Sequence, residues 1–131
     1  MPQTTVEELL SLNQQLLESI AAGDWETYAR LCDPSLTAFE PEALGHLVEG
    51  MNFHRFYFDL KPPRAGTTTT MAAPKARLLG DVAIITYVRL VQRLNEQQQP
   101  ITTACEETRV WQKQAGGWRH VHFHRSHNAS A

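Results

Sequence analysis

The chain has 131 residues, with 12 Lys and Arg against 14 Asp and Glu, so it carries a formal charge of -2 at neutral pH. That length holds one domain, residues 1–131, and a slightly acidic globular composition excludes general disorder and a strongly basic nucleic-acid binder. No stretch approaches the roughly 20 apolar residues of a membrane span. No charged-then-apolar leader opens the chain, and Cys32 and Cys105 form no disulfide framework, so a cytoplasmic domain with two reduced thiols is expected.

The first segment predicts a helix. Thr5 and Glu8 fit a capping box, and Val6, Leu9, Leu10, Leu16, Leu17 and Ile20 fall on a helical stripe. Gly23 is a natural stop, and Asp24 caps a second helix through Leu31 that Pro34 ends. A short strand is expected at Leu36–Phe39, then a short helix opened by Glu40-Pro41-Glu42. Gly45 and Gly50 bracket the next few residues, and a third, aromatic helix covers Met51–Leu60. Lys61–Gly66 reads as a loop.

Beyond it the period becomes alternating. Strands are expected at about 67–79, 82–94, 101–113 and 117–125, joined by turns at Gly80-Asp81, Asn95–Pro100 and Ala115–Gly117. Ser126–Ala131 is expected to fray. Helices followed by an antiparallel meander predict an α+β domain, with the helices on one face of a curved sheet.

Three arginines stand at strand positions that alternate with apolar residues. Arg89 shares a face with Ile85, Tyr87 and Val91; Arg109 with Cys105, Glu107 and Trp111; Arg125 with Val121 and Phe123. An interior arginine needs a partner, and Glu107 is one candidate. If the three converge, positive charge exceeds the available anions, and a cleft of that kind attracts a carboxylate or phosphate. Periodicity alone favours structural ion pairs.

His120, His122 and His124 are expected on one strand face, but with no nearby carboxylate and no metal-binding motif they give little support for a metal. His54 lies on the aromatic helix, where it reads as an acid–base group or as a satisfied core histidine. No catalytic residue, metal or cofactor is assigned. The aromatic content exceeds what one small core needs, so the second sheet face is expected to meet a partner, most simply another copy of the chain.

Longer strings carry a resemblance. The run Cys32-Asp33-Pro34-Ser35-Leu36-Thr37-Ala38-Phe39-Glu40-Pro41-Glu42-Ala43-Leu44-Gly45 resembles the association domain of calcium/calmodulin-dependent protein kinase II. So do Leu47–Phe58, Tyr87-Val88-Arg89-Leu90, Glu106–Trp111, Gly117-Trp118 and Val121–Ser126. The resemblance implies a nuclear-transport-factor-2-like cone: a long N-terminal helix and short helices packed on a strongly curved antiparallel sheet.

It also implies a hub that gathers subunits into two stacked homo-oligomeric rings, with no phosphotransferase chemistry of its own. A kinase would be carried in the same chain or bound as another. The family's hub has an arginine-lined pocket for small carboxylates such as gamma-hydroxybutyrate, and the matching positions here are Arg89, Arg109, Arg125, His54 and Tyr57. Asp59–Arg64 departs from the pattern, being shorter and richer in proline, and lacks the tryptophan found near the pocket in some relatives. The alternatives on the same cone are an isomerase- or dehydratase-type enzyme using His54 or Glu107 as proton carrier, and a carboxylate-sensing module.

Overall fold

Helix α1 (Thr5–Ala22) begins one residue earlier than the sequence motif suggests, because two overlapping boxes compete. In the computed structural model, which describes residues 3–60 and 66–130, Thr4 and Glu7 form the box. The Glu7 backbone N–H donates to Thr4 Oγ1 at 3.1 Å and the Thr4 N–H donates to Glu7 Oε1 at 3.4 Å. Gly23 closes the helix in the left-handed conformation, φ 70°, which glycine adopts without a Cβ penalty. Asp24 then caps α2 (Trp25–Leu31), its carboxylate accepting from the Thr27 N–H at 3.1 Å.

The chain turns extended at Cys32, and β1 runs over Cys32–Phe39, longer than expected and containing Pro34. The proline is tolerated because β1 loses register with its neighbour between Cys32 and Thr37, so no ladder bond is missing there. A single 3-10 turn (Pro41–Ala43) replaces the expected short helix. The two-residue β2 (Val48–Glu49) and α3 (Asn52–Leu60) follow.

The meander β3 (Thr68–Leu79), β4 (Val82–Leu94), β5 (Pro100–Gln114) and β6 (Gly117–Arg125) matches expectation to within a residue at each end. The loop expected at Lys61–Gly66 lies outside the described residues except for Gly66. Sheet order is β2-β1-β6-β5-β4-β3. Besides the short β2, two features were not expected. The first is that β1 adds to the meander parallel to β6, a long-range pairing with no local sequence signal. The second is β7 (Ala129–Ser130), which pairs with β5 where fraying was expected.

The sheet bends at bulges, which sharpen strand twist. One interrupts β3 between Ala72 and Lys75, with Ala73 at φ 50°. Another places Val110 opposite His122 and Trp111 opposite His120, leaving Val121 as the extra residue of β6.

Helix α1 packs against β3 and α2. Leu9, Leu16 and Leu17 join Tyr28, Leu36, Ile85, Trp111 and Phe123 in the buried core; burying each such leucine is worth about 1.5–3 kcal/mol. Asn13 sits fully buried inside the predicted apolar stripe. Its Oδ1 accepts from Trp111 Nε1 at 3.0 Å, and its Nδ2 reaches Met71 Sδ at 3.2 Å.

Candidate functional site

All five residues matched to the family pocket line one cavity of about 410 Å³. Arg89 enters from β4, Arg109 from β5, Arg125 from β6, and His54 and Tyr57 from α3. The cavity thus lies on the inner face of the sheet, where the helices meet it.

Its deepest element is an ion cluster on β4 and β5. Glu107 is fully buried. Its Oε1 accepts from Arg109 Nε at 3.1 Å and from the Tyr87 hydroxyl at 2.5 Å, and its Oε2 accepts from Arg89 Nη1 at 3.3 Å. Burial would raise this carboxyl, but the charges of Arg109 and Arg89, with bonds from Arg109 and Tyr87, outweigh it and hold the group at about 2. Burial pushes the Tyr87 hydroxyl up to about 12 despite Arg109, with Glu107 adding to the rise, so it stays a donor.

Arg109 is 1% exposed. Burial opposes its charge, yet Glu107 above all keeps it cationic. The guanidinium lies 4.3 Å over the Phe123 ring, a cation–π contact. Its Nη1 approaches His120 Nε2 at 3.4 Å. A guanidinium only donates, so Nε2 accepts and the His120 proton sits on Nδ1, 3.4 Å from Cys32 Sγ. Burial, reinforced by Arg109, keeps His120 neutral.

The bulge at Val121 explains why His120 is here at all. Simple alternation expects His120, His122 and His124 on one face, and Val121 inside with Phe123. The extra residue reverses the phase: His120 and Phe123 both point inward, while His122 is half-buried and His124 exposed. His122 instead meets Thr37 Oγ1 at 2.7 Å on the outer side. Among the described residues no group of three or more His, Cys, Asp or Glu side chains is placed to hold a metal. Both cysteines are free and buried, and burial pushes the Cys32 thiol up to about 12.

The expected surplus of arginine over carboxylate is smaller than periodicity suggested. Glu40, at the end of β1, and Glu42, in the following turn, both face Arg125. Glu42 bonds to Arg125 Nη2, and Glu40 Oε2 stands 3.9 Å from the same atom. Three carboxylates therefore meet the three expected arginines, and Arg93, farther along β4, adds one more cation to the cavity wall. No periodic signal marks Glu40 or Glu42, because both follow a strand end rather than lie within an element.

Glu40 Oε1 also lies 3.6 Å from His54 Nδ1. Burial, then repulsion from Glu42, raises the Glu40 carboxyl to about 7 against the pull of Arg125. Burial, then Arg109, lowers His54 to about 4. At neutral pH His54 is uncharged and Glu40 stands near its midpoint.

A helix-backed, bent sheet enclosing a polar cavity is the nuclear-transport-factor-2-like fold. A superfamily member from Salmonella enterica shares it with a TM-score of 0.75 at 22% identity, over 93% of this chain and 89% of that one. Within that fold, residues 5–129 match the model of the calcium/calmodulin dependent protein kinase II association domain, and the chain belongs to that family. It is 50% identical over 123 residues to the type II kinase subunit delta of Oryctolagus cuniculus, covering 92% of this chain and 23% of the relative. The chain thus spans about a quarter of that kinase subunit. The solved hub homology domain of Chlamydomonas reinhardtii superposes with a TM-score of 0.88 at 51% identity, over 94% of this chain and 98% of that one. Membership makes the chain an association domain. No helix among the described residues is long and apolar enough to cross a membrane.

Proposed function

We propose that this chain self-assembles into stacked rings and acts as the hub that gathers kinase subunits, carried in the same polypeptide or bound as separate chains. The observation that carries this reading is the family match across residues 5–129, joined to 51% identity along nearly all of a solved hub homology domain. Apolar side chains left in water on the strands support it: Leu78, Leu79, Val88 and Leu94 are all exposed, and such residues suit contacts between copies.

The inner cavity is a second, binding function within the hub. Arg89, Arg109, Arg125, His54 and Tyr57 form a site for a small carboxylate, with gamma-hydroxybutyrate as the test ligand. Of the two candidate proton carriers, Glu107 is doubly ion-paired and held at about 2, and His54 is held at about 4. Neither is matched to proton transfer at neutral pH.

Electron microscopy of the purified chain tests the hub: ring-shaped particles are expected, and dispersed single subunits would contradict it. Calorimetric titration of gamma-hydroxybutyrate tests the cavity: saturable binding lost in Arg125→Met is expected, and equal affinity in that variant would remove Arg125 from the site.

A further inference from the structure

The Arg125 guanidinium faces two carboxylates at once. Glu42 bonds to Nη2 directly, and Glu40 stands 3.9 Å from that same nitrogen. Deeper in the cavity, Arg109 and Arg89 share the single Glu107 carboxylate. A carboxylate that reaches Arg125 from solvent therefore meets a guanidinium that has more anions than charge to satisfy them. Placing another anion in this buried space without compensation is costly.

Protonating one of the carboxylates beside Arg125 relieves that cost, and the geometry singles out Glu40. Neutralising Glu107 would strand the fully buried Arg109 charge. Glu42 is 39% exposed and bonded to Arg125, so water and the guanidinium both support its charge. Glu40 is only 9% exposed. The groups around it are Tyr28 from α2, His54 from α3, Glu42 from the turn, Arg109 and Glu107 from β5, and Arg125 from β6. The nearest of the cations, Arg125, stays beyond hydrogen-bond length.

We propose that Glu40 couples anion binding to proton uptake: the cavity takes a small carboxylate together with one proton from solvent, which resides on the Glu40 carboxyl. The proton converts Glu40 from a competitor for Arg125 into a neutral O–H donor facing the incoming anion. This inference rests on the carboxylate-binding reading of the cavity. The raised Glu40 carboxyl, near 7, places the coupling in the neutral range. Below that pH the site is already protonated and its affinity is flat. Above it, each pH unit weakens binding about tenfold, because the proton must be taken from an increasingly dilute pool.

The experiment is calorimetric titration of gamma-hydroxybutyrate into the assembled protein at pH 6, 7 and 8, each in two buffers of unlike ionisation heat. The expected result is about tenfold weaker binding at pH 8 than at the acid plateau, with close to one proton taken up per site at pH 8. Glu40→Gln is expected to bind at pH 8 as it does at pH 6, with no uptake. The wild-type proton count stands even if that variant fails to assemble. Wild-type binding that is equal at pH 6 and 8 without proton uptake overturns the inference while leaving the carboxylate site intact. Retained pH dependence in Glu40→Gln overturns it by assigning the proton elsewhere. No binding at pH 6 removes the carboxylate reading itself, and the inference with it.

Discussion

The Glu107 carboxylate and the Arg109 guanidinium, two residues apart on the inner face of β5, meet at 3.1 Å with both side chains almost completely buried. Alternation put them on one face, and the neighbouring β4 completes the cluster with Arg89 and Tyr87. A buried pair of this kind is weak evidence for stability, but breaking one half is severe because the other charge is left in low dielectric.

Glu107→Gln is therefore expected to destabilise the fold by about 3–5 kcal/mol. Replacing Glu107 and Arg109 together by methionine is expected to recover much of that loss. Urea unfolding at fixed protein concentration measures both, since assembly links apparent stability to concentration. A loss under about 1 kcal/mol for the single variant, the range of an exposed pair, would contradict the pairing.

The stability profile with pH has opposing contributions. His54 has a folded value of about 4, below its ordinary 6.5, so its contribution is present above pH 6.5 and is lost as pH falls through 4. Glu40 is raised to about 7 from 4.5, so its contribution is present below pH 4.5 and is lost as pH rises through 7. His54→Gln should flatten the acid-side loss, and Glu40→Gln should flatten the loss between pH 4.5 and 7. Melting temperatures from pH 4 to 8 separate the two. Unchanged profiles would mean neither group is held as described.

Asn13 makes a different kind of contact. Its side chain accepts the Trp111 indole N–H at 3.0 Å in a fully buried setting. Asn13→Leu leaves that donor unpaired and should cost about 1–3 kcal/mol. Thermal unfolding reads the loss, and a variant as stable as the parent would show that the indole finds another acceptor.

Exposed strand side chains offer a test of how copies meet. Val88→Glu and Leu79→Glu each place a charge where the parent leaves an apolar group in water. If those positions are contacts between subunits, the variants should sediment as smaller species at the same concentration. Unchanged sedimentation would move the contact surface elsewhere on the chain.

The sequence made the local structure legible wherever one signal acted alone. The turns at Gly80-Asp81 and Gly116-Gly117 set the meander, and Gly23 and Asp24 set the break between α1 and α2. Competing or long-range effects were hidden. Two overlapping capping motifs shifted the N-cap of α1 to Thr4. The pairing of β1 with β6 joins residues such as Thr37 and His122, far apart along the chain. The site was legible in part: alternation on three strands brought Arg89, Arg109 and Arg125 toward one side. The bulge at Val121 broke that same alternation and turned His120 inward. Glu40 and Glu42, which face Arg125, carry no pattern because they leave β1 through an irregular turn.

Native mass spectrometry of the purified chain at micromolar concentration tests the central claim of a self-assembling hub most directly. A mass of many subunits, with a defined even number consistent with two stacked rings, is the predicted result. A monomer or simple dimer as the dominant species would contradict the hub and leave ligand binding in the inner cavity as the chain's main role.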